Sequence, residues 1–226
     1  MKRILIPSKK AKSWKRLLAK PDLHWKDGRS AKSTALSWEA ANDLPSEMRA
    51  ALETGPADLR GLELQLAVPE WEVALPGGAT ASHTDVMALA RNDAGLVAIA
   101  VEAKVDEVFG PTLGEKRKKA SAGQTERLDY LHQVLGLPNG LPDSVRYQLL
   151  HRTASAVLIA RAFHASTAVM MVQSFSQDAA WFDDFTAFGT ALGVRVATGS
   201  VARVGARTGP ALYLGWCLSP PPEPSL

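Results

Sequence analysis

The stretch SHTDVMALARNDAGLVAIAVEAKVDE, residues 82–107, contains two apolar segments of strand length. The residues between them, RNDAG at 91–95, suit a tight hairpin connection because Asn, Asp and Gly accept the backbone angles of such turns. Each segment nevertheless carries an acid, Asp85 in the first and Glu102 in the second, where an apolar residue would pack better. The stretch therefore predicts a β-hairpin that holds carboxylates on one face of a sheet.

The register of this hairpin decides whether the acids meet. A turn that is symmetric about residues 93 and 94 places Asp85 opposite Glu102 and His83 opposite Lys104. Because strand side chains alternate, Glu102 and Lys104 share a face, roughly 7 Å apart. Directly paired residues have Cβ atoms about 4.5–5.5 Å apart, so the two carboxylates should lie close together.

Two carboxylates at this spacing repel each other unless a proton or a cation lies between them. Lys104 alone could compensate them, which would make the group a structural ion cluster. Alternatively, the two acids and a backbone carbonyl could bind Mg²⁺, which needs only one or two protein carboxylates because it keeps several waters.

The remaining sequence predicts a mixed α/β sheet with helices on its faces. Residues 33–54 have a helical pattern, with Ser33 or Ser37 as its cap and an interruption near Pro45 that makes it one helix or two. The alternating segments LELQLAV and WEVALPGG begin the sheet, and the hairpin completes a three-stranded meander. A Gly-rich and charged segment without clear period follows, then two helices, the buried strand TAVMMVQSF, a further helix and two strands.

The composition is that of a soluble globular protein. The chain has 226 residues, 46% hydrophobic and 22% charged, and no apolar run approaches the ~20 residues of a membrane span. The apolar stretch at residues 4–6 is too short for a secretory signal. The single Cys217 fits a reducing environment. These features predict a cytoplasmic protein without a membrane partner, and they leave its oligomeric state open, with a dimer possible.

Positive charge is concentrated at the amino terminus. Residues 1–32 carry eleven Lys or Arg and two Asp, a net charge of +9 in a chain of net charge +3. Such an arm could follow a polyanion, or it could be a solvated tail. The predicted organisation is a basic arm at 1–32, one domain at 33–217 and a Pro-rich tail at 218–226.

The order of helix, three-stranded meander, helix and strand, with an Asp in the second strand and E-x-K in the third, resembles the PD-(D/E)xK nuclease superfamily. This superfamily has the restriction-endonuclease-like fold, and the resemblance covers residues from about 33 to 175. HTDVMAL supplies Asp85, and VEAKV supplies Glu102 and Lys104. Thr84 replaces the Pro that often precedes the Asp, and no Q-x-x-x-Y motif follows.

The resemblance implies a Mg²⁺- or Mn²⁺-dependent nuclease that acts on DNA more than on RNA. Asp85, Glu102 and the carbonyl of Ala103 would bind the metal, while Lys104 would act on the attacking water. Some members add a Glu from the first helix, and Glu39 occupies the corresponding position.

Further candidates surround this predicted site. His83 faces Lys104 in the expected register, and Gln148 and His151, three residues apart, could point from a crossover helix toward substrate or simply face solvent. The run EKRKK could grip phosphates or form a solvated loop. Its candidate phosphate contacts are Lys116, Arg117, Lys118 and Lys119.

Two other classes of function compete with the nuclease. A nuclease-like domain could have lost cleavage and bind nucleic acid or a protein partner, since fold does not establish activity. A small-molecule α/β enzyme could use the acids and Lys104 for proton transfer. Zinc and nucleotide cofactors are not indicated, because the sequence lacks paired His and Cys ligands and a Gly-rich phosphate loop.

Overall fold

The computed structural model of the chain describes residues 10–205 and 208–221. It has a six-stranded mixed sheet in the order β1-β2-β3-β4-β6-β5. β1, β2 and β3 form an antiparallel meander, β4 and β6 continue it in parallel, and β5 adds an antiparallel edge. The strands are β1 Glu63–Val73, β2 Ser82–Asn92, β3 Gly95–Lys104, β4 Thr167–Ser174, β5 Ser200–Arg203 and β6 Ala211–Leu218.

Helices cover both faces of the sheet. The longer helices are α2 Ser30–Ala41, α3 Ser46–Glu53, α5 Ala122–Leu135, α6 Tyr147–Ala162 and α7 Phe182–Ala191. The short ones are α1 Pro21–His24, α4 Leu113–Lys118 and the 3-10 turns Ala11–Leu17 and Ala57–Leu59. α2 and α3 bury one apolar cluster against the sheet, and α5, α6 and α7 bury a second one on the other face. The predicted α/β class with a mixed, helix-flanked sheet is confirmed.

The central strands are apolar because both of their faces are covered. All eight residues of β4 are buried, as the continuous apolar run TAVMMVQS predicts. The β2–β3 ladder pairs Asn92 with Gly95 and Val86 with Val101, so the predicted symmetric register is confirmed. This hairpin therefore lies in the interior of the sheet, between β1 and β4.

Two local predictions need correction, and one between them is confirmed. The helical pattern forms two helices, and α2 begins at Ser30, whose amide and hydroxyl both donate to Glu107, so neither Ser33 nor Ser37 is its cap. The predicted interruption near Pro45 is confirmed: Pro45 directly precedes α3, because its fixed φ suits a helix start and not a helix interior. The charged segment after β3 is not irregular throughout: it contains α4, which Thr112 caps.

Regular structure crosses both boundaries of the expected domain. The boundary at residues 32 and 33 falls inside α2, and Trp14, only 4% exposed, packs in the α2–α3 cluster. At the other end, β6 extends to Leu218 and Ser219 is buried. Residues 1–9 of the arm and 222–226 of the tail lie outside the described residues. Within the described part, no helix is long and apolar enough to cross a membrane.

Candidate active site

The backbone pairing of the β2–β3 hairpin ends at Val86 and Val101, and the strands separate beyond this pair. The Asp85 side chain lies in the space between the separated strands. Beyond Val86 and Val101, the Ala103 amide donates to Asp85 Oδ2 at 2.6 Å instead of to a backbone carbonyl. The N–H and C=O of one strand residue point to the same neighbouring strand, so the Ala103 carbonyl also lies at this edge. The sequence thus places Asp85 beside β3, as the register requires.

Glu102 is the buried centre of the site, with only 2% of its surface exposed. Its Oε1 accepts hydrogen bonds from Lys104 Nζ at 2.6 Å and from Gln148 Nε2 at 2.6 Å, and its Oε2 accepts one from Arg152 Nε. Burial alone would raise the pKa of Glu102, but the charges of Arg152 and Lys104 outweigh it and hold the pKa at about 2. Glu102 is therefore ionised throughout the physiological pH range.

Lys104 lies on the same face of β3 as Glu102, and three contacts hold its side chain there. Besides Glu102, its Nζ donates to Gln148 Oε1 at 3.2 Å and lies 5.1 Å from the ring centroid of Phe109. The residue is 5% exposed. Gln148 thus bridges the two charged groups, and α6 is brought against β3 at this point.

Glu70 of β1 belongs to the same cluster, although the sequence patterns do not single it out. The β1–β2 register pairs Pro69 with Val86 and Trp71 with Thr84, which puts Glu70 opposite Asp85. Its backbone has a φ of 52°, an unusual value for a residue with a side chain. Burial and the Asp85 charge raise the pKa of Glu70 to about 8.

Asp85 is likewise short of positive partners. Burial, followed by the charge of Glu102, raises the pKa of Asp85 to about 7, even though Arg152 and Lys104 act in the opposite direction. The cluster of Glu70, Asp85, Glu102, Lys104 and Arg152 contains three carboxylates but only two permanent cations. One further positive charge, from a proton or a metal ion, would balance it.

The donor set fits a hard cation that takes few protein ligands. Asp85 Oδ1 accepts no hydrogen bond from the described residues, Glu102 Oε2 has a single donor, and the Ala103 carbonyl is at the same edge. Within residues 10–205 and 208–221, no group of three or more His, Cys, Asp or Glu side chains has the arrangement of a metal site. Two carboxylates and a carbonyl suit Mg²⁺, which retains waters, better than a fully protein-bound ion.

Two of the predicted site residues, Glu39 and His83, lie away from the cluster. Glu39 does not join it, because α2 packs on the other face of the sheet and Glu39 accepts a hydrogen bond from Trp14 at 2.8 Å. His83 lies against β1, with Nδ1 3.8 Å from Glu72 Oε1, and not against Lys104.

The basic run forms the end of α4, with Lys119 just after its last residue, and its members behave differently. Lys116 lies 4.8 Å from the ring centroid of Tyr147, and Arg117 forms an ion pair with Asp143. Lys118 and Lys119 are exposed. Only Lys116 therefore turns toward α6.

His151 connects the cluster to a neighbouring cleft. Its Nδ1 is hydrogen-bonded to Ser82 Oγ at 2.8 Å, and Arg152 Nη1 donates to the same hydroxyl at 3.0 Å. Burial and the Arg152 charge place the pKa of His151 well below its usual value, so the imidazole is neutral at pH 7. The site is thus a buried cluster of carboxylates and cations at the open end of a hairpin, in an α/β protein.

The comparisons with known proteins place the chain in a family but do not name an activity. A family model described as a domain of unknown function, DUF6946, matches residues 7–221, and the chain belongs to this family. No curated protein and no solved structure matches the chain.

Proposed function

We propose that this protein is a Mg²⁺- or Mn²⁺-dependent nuclease with the restriction-endonuclease-like fold, acting on DNA in preference to RNA. The observation that carries this proposal is the convergence of Asp85, Glu102 and Lys104 at the open end of the β2–β3 hairpin. The order of helix, meander, helix and strand agrees with the arrangement expected for that fold.

In this proposal each residue has a separate task. Asp85, Glu102 and the Ala103 carbonyl would hold the metal, which when bound polarises a phosphoryl oxygen and lowers the pKa of a water. Lys104 orients the attacking water and stabilises negative charge that develops on the phosphate. Gln148 positions the Lys104 ammonium, and Arg152 keeps Glu102 ionised.

A second function is favoured by the burial of the same residues. Glu102 and Lys104 are 2% and 5% exposed, and both oxygens of Glu102 already accept hydrogen bonds from the protein. Charged groups that are buried and already hydrogen-bonded within the protein could have a purely structural role, in which the ion pairs hold α6 against β3. The protein would then bind nucleic acid or a protein partner without cleaving it.

The deciding experiment measures cleavage. Purified protein is incubated with supercoiled plasmid, single-stranded DNA and RNA, in Mg²⁺, Mn²⁺ or EDTA. Wild type is compared with Asp85→Asn and Lys104→Met, which preserve side-chain size, and with Asp93→Asn in the exposed hairpin turn as a matched control.

We expect metal-dependent cleavage of DNA that both site variants lower at least about 100-fold, since each removes a charged group from the reacting centre. Asp93→Asn should cleave as wild type does. Cleavage that persists in both site variants would refute the assignment of these residues. Binding of DNA without cleavage by wild type would support the second function.

A further inference from the structure

A cleft of about 440 Å³ lies beside the cluster, under the loop that leads into β2. The loop at residues 76–81 forms one wall together with the start of β2, and α4, α5 and α6 form the others. The polar side chains that line it include Ser82, Lys116, Gln124, Arg127, Tyr147 and His151. This volume is within the range of small-molecule sites and can accommodate one nucleotide.

The charge of the cleft is positive and uncompensated. Lys116 and Arg127 line it, and no Asp or Glu of the residues that the structure describes does. Among the described residues Lys116 has no ion pair; its Nζ lies over the Tyr147 ring. Arg127 is bonded to neutral groups: its Nε donates to the Pro76 carbonyl at 2.8 Å, its Nη2 donates to the Gly78 carbonyl at 3.2 Å, and its guanidinium is hydrogen-bonded to the Tyr147 side chain. Two cations thus face the same concave space without an acid.

The wall formed by the loop is held in place by close backbone contact. Gly77 has a φ of +75°, and a Cβ built on it would lie 1.8 Å from the carbonyl oxygen of Gly123, in the first turn of α5. Arg127, one helical turn further along α5, binds the two carbonyls on either side of Gly77. The cleft is therefore a formed site, with its cations positioned before any ligand arrives.

The cleft and the acid cluster share α6. Gln148 contacts Glu102 and Lys104, and His151, three residues later, lines the cleft. The Ser82 hydroxyl connects the cleft to the cluster, because it is hydrogen-bonded to His151 in the cleft and to Arg152 in the cluster. A group bound in the cleft would thus lie next to the candidate reacting centre.

We propose that this cleft binds the phosphate monoester at the end of a DNA strand and presents the adjoining linkage to the Asp85, Glu102 and Lys104 site. As a statement about cleavage, this rests on the proposed function. The charge decides between ligands: a phosphate monoester carries about −1.5 to −2 near pH 7, which matches Lys116 and Arg127, whereas an internal diester carries only about −1. The same chemistry is present in a free mononucleotide, so the experiment must separate the two sources.

The test measures binding in EDTA, so that it does not depend on cleavage. Fluorescence anisotropy compares one labelled oligonucleotide with a 5′-phosphate, with a 3′-phosphate or with hydroxyls at both ends. Lys116→Met removes the charge but keeps an aliphatic stem on Tyr147. Lys118→Met is the matched control, because Lys118 is on the same helix but exposed and outside the cleft.

We expect one of the phosphorylated ends to bind about tenfold more tightly than the hydroxyl end, the effect of one charge-assisted hydrogen bond. This preference should disappear in Lys116→Met and remain in Lys118→Met. Equal binding of all three oligonucleotides, or an equal loss in both variants, would overturn the inference. Binding of a mononucleotide without any preference among the strands would overturn the assignment to a strand end.

Cleavage in Mg²⁺ then separates this inference from the proposed function. Cleavage at the same rate from all three ends would refute end recognition and leave the nuclease intact. A phosphate preference in binding without cleavage of any strand would support the cleft and refute the nuclease.

Discussion

Replacing Asp85 by Asn should make the protein more stable at pH 8 and reduce the dependence of its stability on pH. The side chain is held against β3 by the Ala103 amide, a hydrogen bond that the Asn carbonyl oxygen can also accept. The substitution therefore removes the charge while it preserves the shape. Because Asp85 is buried and Glu102 is a nearby acid, the negative charge of Asp85 destabilises the folded state in the absence of metal.

The magnitude follows from the raised pKa. The carboxyl of Asp85 has a pKa of about 7 in the fold and an ordinary value of 3.8. Above pH 4 the unfolded chain loses this proton while the folded chain keeps it until about pH 7, so the free energy of unfolding falls as pH rises. Each pKa unit corresponds to about 1.4 kcal/mol, so the decrease between pH 5 and pH 8 is up to about 3 kcal/mol. Glu70, with a pKa of about 8, acts in the same direction.

Urea unfolding in EDTA, followed by tryptophan fluorescence between pH 5 and pH 8, measures this effect. His132 and His151 have lowered pKa values and stabilise the fold as pH rises, so the informative quantity is the difference between variant and wild type. Asp85→Asn should gain stability relative to wild type as pH increases, and the exposed Asp93→Asn should not. A constant difference between Asp85→Asn and wild type across this range would refute the electrostatic account.

Three further results are expected. At pH 8, millimolar Mg²⁺ or Mn²⁺ should raise the thermal midpoint of wild type by several degrees but not that of Asp85→Asn. The size of the shift follows because a ligand at 100 times its Kd stabilises the fold by about 2.7 kcal/mol. An equal shift in both proteins would place the ion elsewhere. Thr84→Val should increase the free energy of unfolding by about 1 kcal/mol in urea titrations, because the buried Thr84 hydroxyl has no hydrogen-bond partner in the described part of the chain. Thr34→Val, which loses a hydrogen bond to the Ser30 carbonyl, should decrease it. Gly77→Ala should lower the free energy of unfolding by several kcal/mol and displace the loop from α5, because a Cβ at this position meets the Gly123 backbone. Gly110 has a similar φ but open space around it, so Gly110→Ala should lower the free energy of unfolding by only about 1 kcal/mol in the same titration.

Much of the fold could be predicted because short-range patterns specify its central elements. The hairpin register follows from the turn residues at 91–95, which leave one symmetric pairing of two long strands. β4 is recognised by eight consecutive residues that suit burial on both faces. The start of α2 at Ser30 could not be predicted, because Ser30 is held by Glu107, 77 residues away in the chain.

The candidate site was only partly predictable for the same reason. Asp85, Glu102 and Lys104 lie on one hairpin, so alternation and register bring them together, and Gln148 is found because helix spacing makes it a candidate. The sequence patterns do not identify Glu70, because Pro69 interrupts the alternation of apolar and polar residues in β1. The acid directly after this Pro was the feature that could have drawn attention to it.

Arg152 shows a different limit. It lies four residues after Gln148, so the two share a helix face, and this spacing was the signal that could have identified it. Its ion pair with Glu102, however, depends on how α6 lies against β3, which helix spacing does not reveal.

The sequence by itself determined the mixed sheet, the register of its central hairpin and the meeting of two acids with a lysine. Each of these depends on strand period or on a turn, and both are properties of neighbouring residues. Only the tertiary structure decided what surrounds them: Glu70 opposite Asp85, Arg152 on Glu102, Glu39 on the other face and a cleft with two cations next to the cluster. The physical reason is that pKa values and binding sites depend on burial and on charges a few ångströms away, and those neighbours come from distant parts of the chain.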